Sequence, residues 1–151
     1  MKYPVYCMLA CLGLLSSVSA LSAQADPLVA QIDAYIVTTA PDQAEVLKLA
    51  EVANPGDMIL YRATFENQGE VALDAVKPII PIPVGLAYVG GSAKPEPKEV
   101  SLDGTNFQPY PAVNQLGESV APSAYRALRW DLGTLKADAP FTAELRAKLI
   151  N

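Results

Sequence analysis

Residues 141–149 have the sequence FTAELRAKL, and this stretch decides the fold. Apolar side chains occupy every second position, and Thr142, Glu144, Arg146 and Lys148 stand between them. Successive side chains of a β-strand point to opposite faces, so a period of two separates a buried face from a solvated one. The stretch therefore predicts a β-strand that is covered on one side only.

The same alternation recurs towards the N-terminus, in shorter pieces cut by turn residues. Alternating segments occupy residues 28–36, 59–66 and 127–132, and a short apolar run covers residues 86–89. Asp103-Gly104 predicts a tight hairpin turn, since glycine accepts the positive φ that such turns need. Seven or eight short strands without a long amphipathic helix indicate an all-β domain, either a sandwich or a barrel, with the single Trp130 in its core.

Two segments raise questions of placement. Residues 73–84 contain Pro78, Pro81 and Pro83, which have no N–H to donate, so we expect an edge strand that passes into an extended connection. Residues 44–51 contain good helix formers, and their apolar spacing fits a period of 3.6 about as well as a period of two. A strand or extended edge is favoured there because the segment is short and lies between two strands, but a helix stays open.

Residues 1–25 have the three parts of a cleavable secretory signal. Lys2 supplies the positive start, an uncharged apolar run follows to Leu21, and Ala23 and Ala25 form a small-x-small cleavage site. Cleavage after Ala20 is an alternative. The run is too short and too rich in serine for a membrane-spanning helix, which needs about 20 predominantly apolar residues. We expect an exported protein of the periplasm or cell surface, one domain at residues 26–151, and membrane contact only through the signal before cleavage.

Composition excludes several chemistries. Both cysteines, Cys7 and Cys11, lie inside the predicted signal, and the chain has no histidine. Little apolar sequence precedes Cys11, which argues against a lipoprotein acylation site. The mature chain then lacks a disulfide, a thiol nucleophile and the usual zinc ligands. Without the signal and its one lysine, ten basic and sixteen acidic side chains remain, a net charge of −6. Nucleic acids require clustered basic residues, so we expect no nucleic-acid partner. We also expect no cofactor.

Three groups of residues are candidates for a site. Phe107, Tyr110 and Tyr125 lie in or near the long loop at residues 108–123, where they form either an interaction surface or the packing of that loop onto the sheet. Asp103 begins a segment with oxygen ligands for weak calcium binding, although the turn interpretation is favoured. Paired carboxylates for glycoside hydrolysis are a remote alternative, and Asp131 is the most catalytic-looking acid. Alternation places Asp131 outward, so we expect no enzyme.

An ordered set of short motifs resembles a known family. The set is Pro55-Gly56-Asp57, Tyr61, Thr64, Asn67 and Gly69, then Pro81, Pro83, Gly85-Leu86 and Tyr88-Val89, then Ser92-Ala93, Ser101-Leu102-Asp103-Gly104 and Trp130-Asp131-Leu132-Gly133-Thr134-Leu135. It is similar to the bacterial conserved-repeat domain family, also called domain of unknown function eleven, over residues 28–149. The resemblance implies an immunoglobulin-like β-sandwich in secreted and cell-envelope proteins, and it brings no catalytic residues. The chain holds one copy where the family often has tandem arrays, and residues 137–140 depart from the family's usual Pro-Gly turn.

These observations favour a non-catalytic, exported module that binds another envelope or exported protein through an edge strand or the loop end. The alternative from the same residues is a structural or assembly component of the cell surface. Fold alone does not separate the two, because sandwiches serve many functions.

Overall fold

The computed structural model describes residues 27–150. The predicted signal peptide, residues 1–25, lies outside the described residues. Eleven β-strands and one short 3₁₀ turn, Pro122–Ala124, make up the regular structure of this range, which contains no α-helix. The strands are β1 (Leu28–Thr39), β2 (Glu45–Leu49), β3 (Met58–Asn67), β4 (Leu73–Val76), β5 (Ile79–Pro81), β6 (Leu86–Tyr88), β7 (Glu99–Ser101), β8 (Phe107–Pro109), β9 (Ala127–Arg129), β10 (Gly133–Leu135) and β11 (Pro140–Leu149).

All strand pairs are antiparallel, and they form three sheets. The largest sheet has the order β2-β1-β3-β11-β6, and a four-stranded sheet has the order β5-β9-β7-β8. Strands β10 and β4 form a separate two-stranded sheet. The predicted all-β fold is confirmed, and its two larger sheets enclose one core in the manner of a β-sandwich.

The centre of the large sheet is β3, which pairs with β1 on one side and with β11 on the other. Ala63 stands opposite Ile32 of β1 and Ala143 of β11, so the three strands share one inner face. The predicted alternation of β11 is confirmed, since Ala143 and Leu145 are buried while Lys148 is exposed.

The core joins side chains of the two larger sheets. Ile80, Val100 and Leu128 of the four-stranded sheet are fully buried in the same cluster as Leu145 of β11. Trp130 is buried as expected, and its indole N–H donates to the Pro95 carbonyl over 2.7 Å. The hydrogen bond satisfies the one polar atom of this side chain, so the ring is buried without an unpaired donor.

The number of strands exceeds the seven or eight that the alternation predicts. Residues 73–84 divide into β4 and β5, and residues 127–135 divide into β9 and β10, with each pair split between two sheets. Pro78 separates the first pair, and Gly133 adopts a φ of +62° where the second pair changes sheet. The breaks thus occur at a proline, which has no N–H to donate, and at a glycine whose positive φ redirects the chain into another sheet.

The segments at residues 44–51 and 73–84 both contribute edge strands. Residues 45–49 form β2, so the strand interpretation is confirmed, and β2 is the outermost strand of the large sheet. The proline-rich segment is also confirmed as an edge, because β5 is outermost in the four-stranded sheet. Local propensity left the choice between helix and strand open for residues 44–51, and pairing with β1 decides it.

Asn67 connects the end of β3 to the small sheet. It is fully buried, and its side-chain amide donates to the carbonyls of Val71 over 2.8 Å and Leu135 over 3.1 Å. Its Oδ1 accepts the Gly69 N–H over 3.0 Å. One side chain therefore satisfies three backbone groups from two segments, the loop that follows β3 and β10.

We expect Asn67→Ala to destabilise the protein by about 1–3 kcal/mol, because it leaves buried backbone groups without partners. Chemical denaturation of the variant measures this directly. Gln68→Ala, at the exposed neighbouring position, is the matched control and should leave the free energy of unfolding nearly unchanged. Equal stability of the two variants would contradict this role of Asn67.

Candidate functional site

The predicted interaction residues Tyr110 and Tyr125 belong to an internal tyrosine cluster. Tyr125 is only 1% exposed, and its ring stacks on Tyr88 with centroids 5.8 Å apart. Tyr110 meets Tyr125 edge-on at 6.2 Å. The Tyr125 hydroxyl accepts the Ala112 N–H over 3.0 Å. The cluster packs the long loop onto the sheet, so Tyr125 does not present a surface for a partner.

Phe107 lies on β8, half-buried beneath a charged side chain. The Arg129 guanidinium carbon stands 4.0 Å from the centre of the Phe107 ring, and Arg129 Nε donates to Glu99 over 2.6 Å. This hydrogen bond lowers the pKa of the Glu99 carboxyl below its usual range. The ring is thus partly covered by an ion pair of its own sheet.

Asp103 organises the hairpin between β7 and β8. Its carboxylate accepts the backbone N–H groups of Asn106 and Thr105, over 2.7 and 2.8 Å, and the Ser101 hydroxyl over 2.9 Å. These hydrogen bonds, led by that of Asn106, hold the pKa of Asp103 well below its usual range. Gly104 has a φ of +86°. The predicted turn is confirmed, and the carboxylate oxygens already serve it.

Several acidic side chains form ion pairs with basic ones. Asp131 is exposed as predicted, and the Lys77 Nζ lies 3.7 Å from its carboxylate Oδ2. Glu144 pairs with Arg62 over 2.6 Å. Within residues 27–150 no group of three or more metal-ligating side chains comes together. The same range contains no helix with the length and apolar character needed to cross a bilayer.

The edges of the sheets differ in how they are protected against pairing with another chain. The edge strand β5 ends at Pro81, β8 ends at Pro109, and β6 has only three residues. Proline and shortness are devices that keep sheet edges from pairing. By contrast, β2 has five residues and no proline, and it has no second neighbour among the described strands. The unprotected edge of the large sheet therefore lies at β2.

At alternate residues of β2, the backbone N–H group points away from β1. The Ala50 N–H donates to the Ala34 carbonyl over 2.9 Å, which makes this a hydrogen-bonded pair. Because such pairs alternate along an antiparallel ladder, the N–H groups of Glu45, Leu47 and Leu49 point away from β1. These groups offer a row of donors to an added strand.

Both faces of β2 carry exposed apolar side chains, Val46 on one face and Leu47 and Leu49 on the other, beside the charged Glu45 and Lys48. Leu49 is 60% exposed, and Val46 and Leu47 are also accessible. A groove of about 410 Å³ adjoins the end of the strand and is lined by Ile36, Lys48, Leu49, Glu51 and Val52. The edge thus combines free backbone donors with apolar contact area, which together are what strand addition requires.

The edge has a second, shorter step, because β1 extends beyond the end of β2. The β1–β2 register ends at Tyr35 opposite Leu49, so residues 29–33 of β1 have no neighbour on that side within the described range. Val29 and Ile32 are exposed on this step. We refer to β2 and residues 29–33 together as the stepped edge.

A salt bridge anchors the β1–β2 hairpin. Arg146 of β11 donates from its two terminal nitrogens to the two carboxylate oxygens of Glu45, each over 2.7 Å. The hydrogen bonds from Arg146 lower the pKa of Glu45 below its usual range. A bidentate pair fixes orientation as well as distance, so the hairpin is held to β11 of its own sheet.

Sequence reasoning identified edge pairing as a mode of recognition but did not find β2 as the place. The signal was present, since residues 44–51 carry exposed apolar residues without proline, whereas the other predicted edge has three prolines. The ambiguity between helix and strand concealed it. Comparison of the chain with models of known protein families, with curated proteins and with solved structures gave no match.

The tyrosine cluster predicts alkaline sensitivity. Burial, with a further contribution from the Tyr110 hydroxyl, raises the pKa of Tyr88 above its ordinary value near 10. The native state then keeps a proton that the unfolded chain releases, so this contribution to stability is complete below about pH 10 and is lost as the pH rises further.

We expect the free energy of unfolding to fall above pH 10, and to fall less steeply in Tyr88→Phe than in the wild type. Urea titrations between about pH 9 and pH 11 measure both slopes. The phenylalanine variant also loses the hydrogen bond from the Ala93 N–H, so the comparison rests on slopes rather than on absolute stability. Identical slopes would contradict the assignment.

Proposed function

We propose that this protein is an exported, non-catalytic module with an immunoglobulin-like β-sandwich, and that it binds another envelope or exported protein by strand addition at β2. The observation that carries the proposal is the unprotected edge: β2 has outward N–H groups, exposed apolar side chains and no proline. The export part rests on the signal-like sequence at residues 1–25.

The immunoglobulin-like part rests on two features. One is the ordered motif set shared with the conserved-repeat family, and the other is a sandwich-like pair of antiparallel sheets around one core. The binding part favours the sheet edge over the loop end because Tyr125 is buried and Phe107 lies beneath Arg129. Edge pairing gives affinity through backbone hydrogen bonds, and side-chain contacts add specificity.

We expect Leu47→Pro to abolish partner binding while the domain stays folded. Proline removes the outward N–H of residue 47, which does not bond to β1, and it is tolerated where the N–H faces solvent. Leu47→Ala is the matched control, because it keeps the N–H and should retain most of the binding. In-cell crosslinking of tagged full-length protein, followed by mass spectrometry and quantification, gives the readout.

Ile32→Pro separates the two steps of the edge. Residue 32 lies on the shorter step, where alternation also directs its N–H away from β3, so its substitution should leave β2-dependent capture intact. A discrete partner lost in Leu47→Pro and kept in the other two variants supports the proposal. Capture that is unaffected by Leu47→Pro overturns it, and recovery of self-crosslinked species alone favours a structural component of the cell surface.

A further inference from the structure

We infer that the partner segment at β2 is a short apolar β-strand of another protein, flanked at both ends by lysine or arginine. The inference rests on the proposed function and specifies the chemistry of the occupant. Its basis is the distribution of charge around the edge.

The part of the chain that builds the edge is acidic. Residues 28–57 contain five acidic side chains and a single basic one, Lys48. Among the five, Glu45 is neutralised by Arg146. Asp33 lies on β1 beyond the end of the β1–β2 register. Asp57 stands just before β3, where its carboxylate accepts the Asn54 N–H. The remaining negative charge near β2 therefore lies on Asp42 and Glu51.

These two acids bracket the strand. Asp42 precedes β2 in the turn after β1, and Glu51 follows β2 immediately, with both side chains exposed. Asp42 accepts the Ala44 N–H over 3.1 Å, which fixes its carboxylate at the end of the strand. A strand laid along β2 thus meets negative charge at each end, and between these ends it meets the apolar Val46, Leu47 and Leu49 together with the single cation Lys48.

The length of the apolar part follows from the edge. The outward N–H groups extend from Glu45 to Leu49, a span of five residues at about 3.3 Å each. The partner segment accordingly has about five apolar residues, and its basic residues lie within two positions of either end.

The same charges disfavour a second copy of this chain as the occupant. A two-fold dimer pairs β2 with itself in antiparallel orientation, which brings the beginning of one strand next to the end of the other. Asp42 would then approach Glu51 of the copy at both ends of the interface. Like charges in neighbouring cross-strand positions are destabilising, and the chain as a whole carries a net charge of −5.

Three fluorescent nine-residue peptides test the inference on the purified protein. The first has the sequence Lys-Lys-Val-Ile-Val-Thr-Val-Lys-Lys, the second replaces all four lysines by glutamate, and the third keeps the lysines but has proline at the central valine. Anisotropy titrations measure their dissociation constants at low and high salt. Sedimentation velocity reports whether the protein alone dimerises.

We expect the lysine peptide to bind about tenfold more tightly than the glutamate peptide at low salt, because two acidic ends attract one and repel the other. The difference should shrink at high salt, where exposed charges are screened. The proline peptide should not bind. The variant D42N/E51Q keeps side-chain size and the Asp42 oxygen acceptor, and it should reduce the preference to less than about threefold.

The outcomes separate this inference from the proposed function. Equal affinity for the lysine and glutamate peptides, lost in Leu47→Pro, overturns the basic-partner inference and leaves edge pairing in place. Binding of the lysine peptide that persists in Leu47→Pro, or no binding of either peptide, overturns the inference together with β2 as the site. A dimer of the protein alone that Leu47→Pro dissociates assigns the edge to a second copy instead.

Discussion

The antiparallel ladder that holds β3 between β1 and β11 is the interaction on which the rest of the structure depends. It gives the three strands a common inner face, and small side chains such as Ala63 and Ala143 leave room there for the opposing sheet. The buried Asn67 at its end positions the two-stranded sheet. On the outer face, Arg62 and Glu144 pair across the same ladder. Without a disulfide in the described range, this ladder and the core it organises hold the domain together.

Sequence alone predicted the strands whose two faces differ most in polarity. β11 alternates along its length and β3 alternates from Ala63 to Asn67, and the Asp103 turn follows from local chemistry that needs no distant partner. The nature of β2 was open because its own residues suit a helix as well as a strand, and its pairing with β1 is tertiary information. The placement of Tyr125 was open between an interaction surface and loop packing for a related reason: a tyrosine after a long loop is buried or exposed according to the rings around it, and Tyr88 is far away in sequence.

Proline and short strand length protect several sheet edges of this domain against pairing, and the absence of both marks the edge that stays open. Proline at β5 and β8 keeps two edges from pairing, and shortness limits β6. The exposed apolar residues of β2 then stand out against a background of protected edges, which gives them more weight than exposure alone. Beside edges that proline or shortness closes at β5, β8 and β6, the open edge at β2 favours recognition over accident.

The bond between Glu45 and Arg146 spans 101 positions of the chain. During synthesis the β1–β2 hairpin emerges long before residue 146. The edge strand is therefore without its anchor until β11 has added to β3, and the surface that strand addition would use is completed by a segment that emerges 101 positions after Glu45. Such an order of assembly makes the open edge a property of the finished domain rather than of its nascent chain.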